Sequence, residues 1–289
     1  MSGADAILRP TRAYRPARTA RTVARLLPVV LFALVSLFPL AYMVSLSFQP
    51  LGNILTVSAE IVPRHPTLAN YTGAWQSNDF AQYFANSALV GVGTVIGTLV
   101  LSSLTAYGFA RYEFRGREPL FYALLASLAV PSVVLILPQY LLMKDLHLVD
   151  SLLGLILLYI STNLPFSIFL LRGFFEGIPT ELEDAMRVDG VSELGILWRL
   201  ILPLAAPALG AVAIFTFNGA WDEFPLAFTM INTPGNRTLP IAIALFQQAH
   251  TTAWGPLFAA SVIATVPTVI VFVVAQRWFQ EGISVGAIQ

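Results

Sequence analysis

The sequence of 289 residues has no cysteine and little charge. Without cysteine the chain cannot form disulfide bonds, thiolate metal sites or a cysteine nucleophile. Charged residues make up 11% of the chain, about half of what soluble globular proteins carry. Because the formal net charge is zero, no basic surplus points to nucleic acid as a partner.

Lysine is nearly absent as well, since Lys144 is the only one in the sequence. It follows Leu-Leu-Met, so the chain has no Gly-x-x-x-x-Gly-Lys-Ser/Thr phosphate-binding loop. The three histidines, His65, His147 and His250, are scattered, whereas a metal site needs convergent ligands. We therefore predict a non-catalytic chain without a metal or bound cofactor, and any ATP and Mg²⁺ would be used by another polypeptide.

Apolar residues dominate, at 56% of the chain with a mean hydropathy of +0.73. About 20 consecutive apolar residues suffice for a helix to cross a bilayer. Proline inside such a helix is expected to kink it without breaking it, because neighbouring helices satisfy the freed carbonyls. The sequence predicts an all-α integral membrane protein with six transmembrane helices, over Leu26–Phe48, Tyr83–Tyr107, Leu120–Met143, Ser151–Leu171, Leu200–Trp221 and Gly255–Gln276.

The distribution of basic residues predicts how these helices are oriented. Thirteen arginines lie in the N-terminal tail, the second and fourth connections and the C-terminus, whereas three basic residues lie in the other connections. Cytoplasmic segments carry the excess of arginine and lysine, so both termini are predicted to be cytoplasmic in a cell (inner) membrane. The expected organisation is a cytoplasmic tail (1–25), a first helix with an outer loop (26–82), a five-helix core (83–278) and a C-terminal tail (279–289).

A charged cytoplasmic segment, residues 172–204, lies between the fourth and fifth predicted spans. Thr180 followed three residues later by Glu183 predicts a capping box at the start of a short helix. Gly190 predicts its end, because glycine readily takes the left-handed conformation. Ser192 is then placed to cap a second helix. By spacing alone, this pattern is equally typical of a well-capped surface loop and of a docking element.

The order of residues in this segment resembles the cytoplasmic "EAA" loop of ABC importer permeases. That motif is Glu-Ala-Ala, three residues, Gly, and then about nine residues to Leu-Pro; here Asp184-Ala185-Met186 replaces Glu-Ala-Ala. Gly190 and Leu202-Pro203 match as they stand. The resemblance implies contact with an ATPase subunit through Glu181, Asp184, Ala185, Met186, Asp189, Gly190 and Pro203.

Other segments extend the resemblance over residues 26–289. Thr105 to Arg111, Trp221-Asp222-Glu223-Phe224 and the C-terminal residues 276–288 are similar to elements of carbohydrate-uptake permeases, in particular the maltose-type second permease subunit. The family implies a type-1 ABC importer permease fold. It also implies a second homologous permease subunit, two ATPase subunits, an extracytoplasmic solute-binding protein and a sugar-like substrate, in a lipid membrane and without nucleic acid.

Polar residues within or beside the predicted spans are candidates for the substrate path, because sugar sites combine aromatic faces with hydrogen-bonding groups. Asn163, Asn218, Trp221, Asp222 and Glu223 are the preferred ones. The alternative is that such residues join helices by hydrogen bonds. The remaining polar residues of this kind are Asn86, Ser102, Ser103, Gln139, Ser161 and Thr162.

Two other functions stay open. An ion-coupled secondary carrier of small solutes usually holds charged groups within its spans, and the predicted spans have none. A membrane scaffold or channel without a transport cycle would leave residues 181–203 without a role.

Overall fold

A computed structural model of the protein describes residues 16–50, 62–77, 79–247 and 252–286, with side chains from residue 25 to residue 274 in these ranges. His250, most of the Arg-rich N-terminal tail and the last three residues of the C-terminal tail lie outside the described residues. The described chain is helical, apart from turns and one isolated bridge between Gln247 and Thr252.

Twelve α-helices of four or more residues follow one another in the described chain. They are α1 (Pro16–Ser47), α2 (Ala69–Gln76), α3 (Phe80–Arg111), α4 (Arg117–Ala126), α5 (Ser132–Asp145), α6 (Leu152–Glu176), α7 (Thr180–Val188), α8 (Glu193–Ile196), α9 (Ala206–Trp221), α10 (Pro225–Met230), α11 (Leu239–Ala244) and α12 (Trp254–Gly286). A π-helical turn, Leu197–Ile201, and a last turn, Leu202–Leu204, continue α8 towards α9.

Four uninterrupted segments are long and apolar enough to cross a membrane: Arg25–Ser47, Phe80–Arg111, Leu152–Glu176 and Trp254–Val274. Two bent pairs of helices, Arg117–Ala129 with Ser132–Asp145 and Glu193–Leu204 with Ala206–Trp221, pass the same test when each pair is taken together. With each pair counted once, the described residues contain the six spans that the sequence predicts.

The break between α4 and α5 corrects the prediction of one helix over Leu120–Met143. Val130 is extended there, with φ −86° and ψ 121°, and the two helices meet at 107°. Pro131 explains the break, since proline disfavours a helical conformation in the preceding residue and has no N–H to donate. Proline therefore breaks this span rather than only kinking it.

A second break, at Ala205, corrects the prediction over Leu200–Trp221. The segments on either side of it meet at 81°, and the straight helix α9 begins at Ala206 with a proline in its first turn. Elsewhere the expectation holds, because five prolines remain inside helices: Pro28, Pro39, Pro138, Pro165 and Pro267.

The long helices α3 and α6 form the centre of the molecule. Gly93 and Gly97 allow their close approach, because a Cβ atom on Gly97 would lie only 2.3 Å from Cδ1 of Ile160. This confirms the small-residue packing that their spacing indicates. Helix α9 packs on this pair and α12 packs on α9, while α1 packs on α12 at the periphery with its apolar side chains exposed, as a lipid-facing helix requires.

The connections at the end of the core opposite to the 172–204 loop fold back over α3 and α6. The side-chain amide of Asn86 donates to the carbonyl oxygens of Gly235 and Arg237 at 2.9 and 2.8 Å. Asp150 accepts from the backbone N–H groups of Asn232 and Thr233 at 3.0 and 2.9 Å and from the Thr233 hydroxyl. These polar contacts close this end of the helical core.

Candidate functional site

Helix α7 of the 172–204 loop begins differently from the prediction. Pro179, not Thr180, occupies the N-cap position, and no side chain caps the helix. Glu183 does not reach back to the helix start, because its side chain is 0% exposed and is paired with Arg111. The predicted capping box is therefore wrong, and Glu183 instead connects the loop to the membrane helices.

Glu183 and Arg111 form a buried ion pair that joins three helices. Arg111 is the last residue of α3, and its Nε donates to Oε1 of Glu183 on α7. Its Nη2 donates to the carbonyl oxygens of Phe175 and Ile178 at 2.8 and 2.9 Å, at the end of α6. Tyr107 donates to the same carboxylate at 3.3 Å. The pair thus links α7 to the ends of both central helices.

Arg187 extends this network across the turn between α7 and α8. Its Nε donates to Oε1 of Glu193 on α8 at 2.8 Å, and its Nη1 donates to Asp184 at 2.7 Å. The Tyr107 hydroxyl donates to Glu193 at 3.0 Å. Since Tyr107 belongs to α3, both short helices of the loop are attached to the same membrane helix.

The turn between α7 and α8 has the predicted conformation. Gly190 has a positive φ of 78°, and the N–H of Val191 donates to the carbonyl of Met186 at 3.0 Å. The hydroxyl of Ser192 accepts from the N–H of Gly195 at 3.3 Å, which confirms it as the cap of α8. The sharp end of α7 follows from the backbone freedom of glycine.

The 172–204 loop exposes apolar side chains at its surface. Val188 is 88% exposed and Trp198 is 58% exposed, and Leu182 and Leu194 are also exposed. Among the predicted contact residues, Glu181, Asp184, Ala185, Asp189 and Gly190 are also exposed, whereas Met186 is partly buried. Pro203 lies further along, in the turn before α9. The exposed apolar side chains of α7 and α8, Leu182, Val188 and Leu194, are candidates for contact with a partner protein.

A polar cavity lies where α4 and α5 separate. Two adjoining spaces of about 170 and 470 Å³ share Ser132, Gln139 and Thr162 as lining residues. The smaller one also reaches Asn163 on α6 and Glu223 beyond α9. Because polar side chains at membrane depth are costly unless they face protein or water, this cavity is a candidate substrate path.

The polar side chains of the cavity differ in how many of their hydrogen-bonding positions are occupied by protein partners. Glu223 accepts from the Tyr159 hydroxyl at 2.6 Å and from two backbone N–H groups at the start of α10 at 2.7 and 2.9 Å. The Asn163 amide donates to the Tyr159 carbonyl at 2.7 Å. Gln139 has no hydrogen-bond partner among the described residues, so its whole amide is available to a ligand.

The other predicted path residues do not line this cavity. Trp221 is buried, stacks on Phe217 with ring centroids 5.4 Å apart and donates to the Ala264 carbonyl at 3.0 Å. The Oδ1 atom of Asn218 is buried without a partner in the described structure. Asp222 is exposed at the end of α9. Of the five preferred residues, Asn163 and Glu223 are thus the ones at the cavity.

Sequence reasoning missed Arg111 and Tyr107 as functional candidates, and it named Gln139 and Thr162 without preferring them over the other polar residues. Arg111 carries a usable signal, because it is a lone cation at the end of an apolar run and needs an anion when it is buried. Gln139 is an amide in a mostly apolar stretch of α5, but the sequence does not reveal that α5 turns away from α4 at Pro131.

Comparisons with known proteins agree with this architecture. Residues 98–285 match the family described as "Binding-protein-dependent transport system inner membrane component". The chain is 33% identical over 260 residues to the diacetylchitobiose uptake system permease protein NgcG of Streptomyces coelicolor, covering 89% of this chain and 86% of that protein. It is 32% identical to the arabinooligosaccharides transport system permease protein AraQ of Bacillus subtilis, covering 96% and 99%.

A solved structure has the same fold. It is the crystal structure of a bacterial ABC transporter involved in the import of the acidic polysaccharide alginate, with a TM-score of 0.80 and 23% sequence identity, and the match covers 93% of this chain and 100% of that chain. This likeness confirms the ABC importer permease fold. With the family match over most of the chain, it follows that the protein belongs to the inner membrane components of binding-protein-dependent transport systems.

Proposed function

We propose that this chain is a permease subunit of an ATP-driven importer for a sugar or related polyol. A second, homologous permease subunit completes the translocation path, and an extracytoplasmic binding protein delivers the substrate. The printed functions of the similar proteins, uptake of diacetylchitobiose and transport of arabinooligosaccharides, support the sugar class. Both termini are cytoplasmic in this proposal, as the excess of arginine on that side favours.

The observation that carries the proposal is the attachment of the 172–204 loop. Val188 and Asp184 of α7 are exposed to a partner, and Glu183 of the same helix is fastened to α3 and to the end of α6 through its buried pair with Arg111. A partner that moves this loop therefore moves both central helices. We infer that the partner is one of two ATPase subunits, because the sequence has no phosphate-binding loop of its own.

In this mechanism the chain itself carries out no chemical step. ATP closure of the ATPase subunits displaces α7, and the ion pair transmits the displacement to the membrane helices. The breaks at Pro131 and Ala205 interrupt two of the spans, and we expect the parts on either side of each break to change their angle during the cycle.

Transport in sealed vesicles tests the proposal. The complex is reconstituted with its permease and ATPase partners, and uptake of a radiolabelled sugar panel is measured with binding protein on one side and ATP on the other. Uptake that needs both supports an ATP-driven importer. Uptake that a protonophore abolishes at constant ATP would instead support the ion-coupled carrier.

A further inference from the structure

The polar cavity beside the α4–α5 break has no full positive charge. Its lining, in the part of the chain that the structure describes, contains no lysine, arginine or histidine, and Glu223 is its one acidic residue. That carboxylate is bonded to a hydroxyl and to two backbone N–H groups and has no cationic partner among the described side chains.

This charge distribution disfavours an anionic ligand. A carboxylate or phosphate that leaves water needs a cation or several hydrogen-bond donors in exchange. The first turn of α5, at Ser132 and Val133, contributes about half of a positive charge through the helix dipole, which is less than the full negative charge of Glu223. The N–H groups at the start of α10 are already bonded to that carboxylate.

Uncharged hydroxyl groups fit the remaining polar atoms. The Gln139 amide offers donors and an acceptor, and the Oδ1 atom of Asn163 is a further acceptor without a protein partner in the described chain. The Thr162 hydroxyl donates to the Leu158 carbonyl at 2.6 Å and keeps its lone pairs for a ligand. Saccharide hydroxyls both donate and accept hydrogen bonds, so they can use all three side chains.

We infer that this cavity is a contact site for an uncharged saccharide, bound through Gln139, Thr162 and Asn163, and that it discriminates against uronates and phosphorylated sugars. The inference rests on the proposed function and narrows its substrate class. On this chain's side of the path, discrimination comes from the missing cation and from the negative charge of Glu223, which no cation neutralises, since specificity depends on unfavourable contacts with the wrong ligand as well as on good contacts with the right one.

Because the sequence contains no cysteine, Thr162→Cys introduces a unique thiol into this chain. The intact transporter complex is treated with uncharged methyl methanethiosulfonate or with anionic sulfonatoethyl methanethiosulfonate, and labelling of this chain is followed over time. The reference is Thr229→Cys, which lies on the exposed surface of α10. We expect the anionic-to-uncharged rate ratio to be about tenfold lower at position 162 than at position 229.

Two further variants separate charge from reagent size. Gln139→Arg in the Thr162→Cys background supplies a cation and should raise the ratio, whereas Gln139→Leu should not. Equal ratios at positions 162 and 229, no reaction of Thr162→Cys with the uncharged reagent, or slower labelling in the presence of trigalacturonate would each overturn the inference. Loss of the ATP requirement for uptake in the sealed-vesicle transport assay would contradict the proposed function instead. That result would leave the labelling ratio unchanged.

Discussion

At one end of the core the 172–204 loop is held by ion pairs between side chains, whereas at the opposite end the loops are held by polar side chains that bond to backbone groups. Glu183 and Arg111 represent the first kind, with 0% and 8% of their side chains exposed. Asp150 represents the second kind, because it accepts from the N–H groups of Asn232 and Thr233.

The difference shows what each end requires. A buried ion pair is strongly destabilised when either partner is removed, since the other charge stays buried and uncompensated. It therefore ties the position of the loop closely to that of α3. Removing a carboxylate that accepts from backbone N–H groups should destabilise the protein less. Near the surface, water can replace the hydrogen bonds that the carboxylate made.

The largest effect is expected for Arg111→Leu, which leaves the Glu183 carboxylate buried without its partner. The free energy of unfolding should fall by about 3–5 kcal/mol, measured by denaturant titration in mixed micelles. The matched control is Arg115→Leu, an exposed arginine on the same side. The double variant Arg111→Leu with Glu183→Leu should regain much of the loss, and a double variant as unstable as Arg111→Leu would contradict the ion-pair explanation.

Asp150→Asn tests the opposite end of the core and should lower the free energy of unfolding by about 1–3 kcal/mol. Burial opposes ionisation of Asp150, but hydrogen bonds from Thr233 and Asn232 outweigh it and hold the pKa of this carboxyl below its usual range. The stabilisation is therefore present above the ordinary pKa of an aspartate and is lost as the pH falls through the lower value in the folded protein. Asp150→Asn should remove this acid dependence, whereas Asp145→Asn, at the exposed end of α5, should retain it.

Gly190→Val tests whether the turn between α7 and α8 fixes the position of α7 in the 172–204 loop. A side chain other than glycine in the left-handed region costs about 1–2 kcal/mol, so the end of α7 should shift and ATP hydrolysis should become uncoupled from transport. ATPase activity and uptake are measured in the same vesicles. Gly190→Asn is the control, because asparagine tolerates this conformation; normal coupling in Gly190→Val would show that the turn does not control the position of α7.

The smallest effect on stability is expected for Asp184→Lys, since Asp184 is 68% exposed and its pair with Arg187 lies at the surface. Such pairs contribute about 0–1 kcal/mol. Copurification of the ATPase subunits should nevertheless weaken, because the charge on the exposed face of α7 is reversed. Glu113→Lys, on an exposed part of the connection between α3 and α4, is the control, and unchanged copurification and transport in Asp184→Lys would remove Asp184 from the docking surface.

Sequence reasoning succeeded where the decisive interactions are local. The positive φ of Gly190 and the cap formed by Ser192 depend on groups within a few residues, so residue type and spacing predict them. It failed for Thr180 and Glu183, because the capping pattern is compatible with two environments. The glutamate is drawn away from the helix start by Arg111, which lies 72 residues earlier in the chain.

The sequence by itself determined the all-helical membrane class, the number of apolar segments and the end of α7, because continuous hydrophobicity and glycine conformation act within single segments. Only the tertiary structure decided that Glu183 is a buried connection to α3, that Trp221 packs in the core and that Gln139, Thr162 and Asn163 share one cavity. These outcomes depend on where separate helices meet, and on the change of direction at Pro131, which brings together groups that are distant in the chain.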